Sequence, residues 1–212
     1  MVCLANSWRP GGRCVAGVDL GNGQWIRPVP GGAKAVPDVA THFGKHDLAP
    51  LDIIELAVAL PKTPTKYQRE NRIVTSSHWK LVGALKSADV IKYCETSTSV
   101  LHSSSKVVDP ADLELLPPTK WRSLELRRVG DAAFSPDPRK KDKWVVSFST
   151  FGRFPKSFSL AVTDPIATAR LNKGDKIKPN CLLTLSLTEP IAYPRFNLPE
   201  LCYKLVAAVM EL

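Results

Sequence analysis

The sequence predicts a mostly β protein made of two tandem five-stranded barrels with short helices. Three observations carry this expectation. The 18 Pro and 12 Gly of the 212 residues are scattered along the chain, which favours frequent turns over long helices. The opening stretch alternates short apolar runs with glycine-bearing turns. The second half carries runs in which bulky and small side chains alternate, the period of a strand with one face in a core and one face open. With 44% hydrophobic residues the chain can fill such cores.

From the N-terminus, VCLANS, WRPGGR, CVAGVDL, GNGQ and WIRPV read as a β-meander, with the GGR and GNG turns supplying the positive φ angles of tight hairpins. A loop after Pro30 holds Gly31, Gly32, Pro37, His42 and His46, and a strand is expected over Asp52 to Leu60. Between Trp79 and Cys94 the apolar positions half follow a helical period, so a short helix is expected there. ETSTSVLHSSSKV, residues 95–107, has the composition of a linker, and Pro117-Pro118 resists regular structure. The expected division is therefore 1–118 for a first barrel with variable loops and linker, and 119–212 for a second.

The second half reads as strands at 123–129, 144–150 and 156–163, a helix opened by Asp164-Pro165, then strands at 181–187 and 202–210. Asp can cap the first free amides of a helix and Pro is tolerated at its first position, while Gly174 marks the stop. Five strands with one helix after the third is the element order of an OB-fold, a partly open five-stranded Greek-key barrel. Within it, Trp144, Val146 and Phe148 fall on one face of a strand and Val145 and Ser147 on the other; Phe148 and Phe158 are expected in the core.

CLANS, GGRCVAG and WIRPV near the start, with SLAVTDP, LTLSL and CYKLVAAV near the end, resemble the bacterial dual OB-fold domain family. The resemblance runs over nearly the whole chain and is strongest in 2–30 and 143–209. It implies a tandem of two OB-folds, nucleic-acid binding, and mobile or antiviral-defence gene neighbourhoods.

Charge points the same way. Twenty-nine Lys and Arg against 20 Asp and Glu give a formal net charge of +9, which attracts polyanions before any specific contact forms. OB-folds bind through the face of their second and third strands and the loops at 1–2 and 4–5. Here those regions hold Arg139, Lys140, Lys141 and Lys143, then Phe151, Arg153 and Phe154, then Tyr193, Arg195 and Phe196. Single-strand binders need that mixture, because cations meet phosphates while rings stack on bases. A second candidate surface in the first half gathers Asn6, Ser7, Trp8, Arg9, Arg13, Trp25 and Arg27. Arg and Trp there suit a nucleotide or a strand end; alternatively, Arg13 and Arg27 brace Glu55 or Asp19 while Trp25 fills the barrel.

Catalytic patterns are weak. His42 and His46 lack an HExxH context, Cys94 and His102 lie on a Ser-rich stretch, and Pro30-Gly31-Gly32 lacks the lysine of a phosphate-binding loop. No enzyme, metal or cofactor is expected. The five cysteines are odd in number and form no CxxC pair, so free thiols in a reducing, cytoplasmic setting are expected, with no signal peptide or membrane span. The expected function is a nucleic-acid-binding module for single-stranded or structured DNA or RNA. The competing readings are a protein-interaction adaptor for an effector enzyme encoded nearby and a nucleotide-sensing domain.

Overall fold

The computed structural model describes residues 1–9, 11–31, 35–63, 65–193 and 198–212, without the side chains of Val39, Tyr193 and Leu198. Its first half contains β1 (Val2–Arg9), β2 (Gly12–Val18), β3 (Trp25–Pro30), β4 (His42–Phe43), β5 (His46–Asp47), β6 (Asp52–Glu55), β7 (Val58–Ala59), β8 (Asn71–Val74) and β9 (Lys80–Ala84). Its second half contains β10 (Val107–Val108), α1 (Pro110–Glu114), β11 (Leu124–Val129), β12 (Ala133–Pro136), β13 (Trp144–Ser149), β14 (Ser157–Val162), α2 (Pro165–Asn172), β15 (Cys181–Leu187), β16 (Ile191–Tyr193) and β17 (Leu198–Glu211).

Both sheets curl, and the reason is the same in each. The first runs β7-β8-β3-β2-β1-β6-β9. β6 and β7 are consecutive pieces of one stretch broken at 56–57, yet β6 pairs with β1 and β7 pairs with β8. One stretch of chain therefore borders both sides of the sheet, and β9 is added outside that ring on β6. The second sheet runs β11-β15-β17-β14-β13-β12, and there β11 and β12 are the consecutive pieces, broken at 130–132. In ring order each half goes first, second, third, fifth, fourth and back to first, and each has a parallel pair between third and fifth: β3 with β8, β14 with β17. A 3-10 turn (Asp38–Thr41) follows the third strand of the first ring, and α2 follows that of the second. The chain is thus mostly β, two OB-like barrels with short helices.

Local chemistry explains the details. Gly11, Gly12 and Gly23 take positive φ in the two early turns, as the sequence predicts. Gly17 is required by close approach instead, because a Cβ there would sit 1.9 Å from the Val2 carbonyl oxygen. Asp164 caps α2 by accepting from the Ile166 and Ala167 amides, and its other oxygen accepts from the Val209 amide at 2.8 Å. Phe148 and Phe158 are buried and stacked, with ring centroids 5.7 Å apart. The expected helix over Trp79 to Cys94 differs: Lys80–Ala84 is β9 and Ser87–Tyr93 is a 3-10 turn. Its irregular apolar spacing matches neither period because Trp79 serves the first ring's core while Val90, with Leu85 and Ile91 beside it, serves the seam.

The two rings share a seam. Val2, Leu4 and Val18 pack with Leu126, Leu182 and Met210, while Ala5 and Ala16 meet Leu124, Ala207 and Ala208. Small residues let the backbones approach, and Thr184 donates its hydroxyl to the Leu4 carbonyl at 2.5 Å. A buried polar knot closes one side of this seam. Arg27 pairs with Glu70 at 3.2 Å and donates to Ser123 Oγ at 2.9 Å, and Ser123 in turn donates to Glu70.

The Ser- and Thr-rich stretch 95–107 lies packed on the second ring. Val100 and Leu101 are fully buried in its core, and the many hydroxyls and carbonyls of the stretch satisfy buried charges. Glu125 accepts from the Leu101 amide at 3.0 Å, Arg127 donates to the Ser97 hydroxyl at 3.0 Å and to the Ser99 carbonyl at 2.5 Å, and Lys204 donates to the Ser103 and Ser105 carbonyls at 2.8 and 2.7 Å.

Burial pushes the Lys204 ammonium down to about 8 from its ordinary 10.5. Below pH 8 the folded chain holds a charge that the unfolded chain keeps in water. Between pH 8 and 10.5 the unfolded chain binds a proton that the folded chain has released, so this group's contribution rises with pH across that window. Urea denaturation of wild type and Lys204→Met at a series of pH values is expected to show the stability difference moving in favour of wild type over that window, by up to ~3 kcal/mol. A pH-independent difference would contradict the burial.

Candidate nucleic-acid interface

β1 is buried from Val2 to Ser7 and reaches the surface at Trp8. That indole is 57% exposed. Its cross-strand partner Arg13 lies over the ring, guanidinium carbon 4.3 Å from the centroid, while Arg13 Nε donates to Asp38 at 2.8 Å. The carboxylate and the ring fix the guanidinium, and the guanidinium holds one side of the indole.

Because the first ring docks on the second, Trp8 stands beside residues more than a hundred positions away in sequence. A cleft of about 430 Å³ is lined by Trp8, Lys140, Lys143, Trp144 and one side of α2 from Pro165 to Asn172. The lysines come from the loop between β12 and β13. Asp137 organises that loop: its amide donates to the Lys143 carbonyl at 2.7 Å, and its carboxylate accepts from the Arg139 amide at 3.0 Å. That amide bond, helped by the Arg139 charge, holds the carboxyl below its usual range. Arg139, Lys140, Lys141 and Lys143 are all exposed.

From this cationic end an open sheet face runs away along β12, β13 and β14. Its outward cross-strand neighbours are Ser135, Val145 and Ala161, then Ala133, Ser147 and Ser159, then Ser149 with Ser157. All are small or hydroxylated, and all are exposed or half-buried. The first ring covers β11, β15 and β17 instead, so this face is left free by the seam. At its other end, about 20 Å away for a six-residue strand, Phe151 and Phe154 project at 56% and 71% exposure, with Arg153 5.6 Å from the Phe154 centroid.

The anticipated residues therefore fall into distinct places. Lys140 and Lys143 lie with Trp8, and Arg139 and Lys141 share their loop; Phe151, Arg153 and Phe154 lie at the far end of the same face. Trp25 is half-buried and packs against the seam clusters. Arg27 is 2% exposed, and its ion partner is Glu70, while that of Arg13 is Asp38. Tyr193 has no described side chain, and Arg195 and Phe196 lie outside the described residues. Arg9 pairs loosely with Glu189 at 3.8 Å, from the segment after β15. The sequence places Trp8 in the first-half cluster; its position against Lys140 and Lys143 comes from the docking of the two rings, which no local pattern encodes.

Among the described residues no group of three or more His, Cys, Asp and Glu is arranged to hold a metal ion, and no helix is long and apolar enough to cross a membrane. A family model described as the dual OB-containing domain matches residues 1–209. No curated protein and no solved structure matches the chain.

If Asp137 organises the basic loop, Asp137→Ala accelerates hydrogen exchange at the Arg139 amide and leaves the Phe148 amide, within the β13 ladder, unchanged. An Arg139 amide that exchanges at the wild-type rate in the variant would contradict this role.

Proposed function

The chain belongs to the dual OB-containing domain family, and from that premise we propose that it binds single-stranded nucleic acid along the open face of its second barrel. The observation that carries the reading is the placement of Trp8 beside Lys140 and Lys143 at one end of a smooth sheet face that ends in Phe151, Arg153 and Phe154. Cations at the near end neutralise phosphates, exposed rings at both ends offer stacking platforms, and the small side chains between them let a flexible strand lie close. None of these contacts reads a base edge, so the expected binding is tolerant of sequence. The net charge of +9 adds long-range attraction, which is screened by salt. A place in a bacterial defence or nucleic-acid-processing assembly is the setting we infer for such a module.

A protein-docking reading has one observation in its favour. β9 is an edge strand exposed along its whole length, with Leu81 and Val82 among its side chains, and such an edge can accept a strand from another protein.

The two kinds of contact separate by their salt dependence. Against a labelled oligonucleotide, Lys140→Ala with Lys143→Ala is expected to flatten the slope of log affinity against log salt by about 1.4, at roughly 0.7 per lost phosphate contact on a single strand. Trp8→Ala is expected to cost about 1–3 kcal/mol with the slope unchanged, as a lost stacking platform does. Absence of oligonucleotide binding at low salt would end this reading, and a stoichiometric protein retained at high salt through β9 would favour the other.

A further inference from the structure

A second cleft, of about 490 Å³, opens beside Phe151, between the end of β11 and residues 94–96. Alternate residues of a strand point the same way, so Arg128 shares the outward face of Leu126, which packs at the seam. Gly130 continues that face without a side chain. A Cβ there would lie 3.8 Å from Phe151 Cζ, so the phenyl ring covers the glycine and stands next to Arg128 on one surface. The opposite wall runs alongside β11: Cys94 bridges to Leu126 in parallel register, and the Glu95 amide donates to the Leu126 carbonyl at 2.8 Å.

The charges of this cleft do not all cancel. Arg127 is committed to Glu125 and to the Ser97 and Ser99 carbonyls, and Glu95 pairs with Arg122 at 3.1 Å. Burial pushes the Cys94 thiol up to about 11, so it is uncharged at neutral pH. Arg128 is exposed, and its guanidinium has no hydrogen-bond or ion-pair partner among the described residues. The cleft therefore offers one uncompensated guanidinium beside an exposed ring, with Ile91 and Val129 as apolar lining. A phosphate answers the first and a base the second. Continuity favours the same ligand, because Phe151 follows Ser147 and Ser149 on the outward side of β13 and so borders both the open face and the cleft.

We propose that the cleft is a further nucleotide subsite, in which a strand leaving the open face passes Phe151, stacks a base on the cleft side of that ring and sets a phosphate on Arg128. The inference rests on the strand-binding reading and extends its path from β12–β14 onto β11.

A double-mutant cycle on a labelled oligothymidylate of about 16 nucleotides, the long end of what one OB-fold covers, tests it. Arg128→Ala is expected to flatten the slope of log affinity against log salt by about 0.7, and by about 2.1 together with Lys140→Ala and Lys143→Ala, at roughly 0.7 per phosphate. Arg128→Lys is expected to keep the wild-type slope. Lys62→Ala removes an exposed charge just beyond β7 and is expected to leave the slope unchanged. Because one nucleotide engages both groups, the affinity losses of Arg128→Ala and Phe151→Leu are expected to depart from additivity by more than about twofold, while those of Arg128→Ala and Trp8→Ala add. Thermal unfolding of each variant shows that it folds. Oligonucleotide binding that depends on Lys140 and Lys143 but not on Arg128 overturns the subsite alone. So does equal flattening by Lys62→Ala, which reduces the effect to net charge, or strict additivity of Arg128→Ala with Phe151→Leu. Absence of oligonucleotide binding at low salt overturns the strand reading and the subsite together.

Discussion

The structure depends on β1 being buried on both faces. Cys3 closes the first ring's own core with Val15, Val36, Leu48, Ile54 and Trp79, while Val2, Leu4 and Ala5 pack on the second ring. The register shift between Cys3 and Ala5 lets the adjacent residues Leu4 and Ala5 both serve the seam. The first ring's private core is small, and the second's is extensive. A barrel with so little apolar burial of its own gains much of its stability from the shared surface, so the two rings should behave as one cooperative unit. The same strand carries Trp8 to the surface, which couples the geometry of the binding face to the integrity of the seam.

Much of the second barrel is legible in its sequence. Strands β13 and β14 alternate cleanly because one face is core and the other is open, and Asp164-Pro165 announces α2 through its capping chemistry. The break of the first strand at 130–132, which lets β11 and β12 border opposite sides of the ring, leaves only Gly130 as a sign. The first barrel is harder to read, since β4, β5 and β7 are two residues long and the stretch over 52–60 is interrupted at 56–57. Residues 95–107 carry the composition of a linker for a different physical reason: their hydroxyls and backbone carbonyls are the partners of Glu125, Arg127 and Lys204, charges that sit on strands and cannot be buried without them.

The candidate site shows the same division. The basic loop and the two phenylalanines are visible as local runs, and the structure places them at opposite ends of one face. Arg13 and Arg27 look alike in sequence, yet one clamps an exposed indole and the other is buried in a knot with Glu70 and Ser123, and only three-dimensional packing distinguishes them. What joins the parts is long-range: residue 8 shares a cleft with residues 140 and 143 because the two barrels dock through a seam of aliphatic side chains.

Native-state hydrogen exchange in increasing denaturant tests that docking most directly. If the seam makes the barrels one unit, the slowest amides of β2 and those of β15 open with the same free energy and the same denaturant dependence. If the β2 amides open at distinctly lower free energy while β15 stays protected, the first barrel unfolds independently, and the shared placement of Trp8 with the lysines has no rigid support.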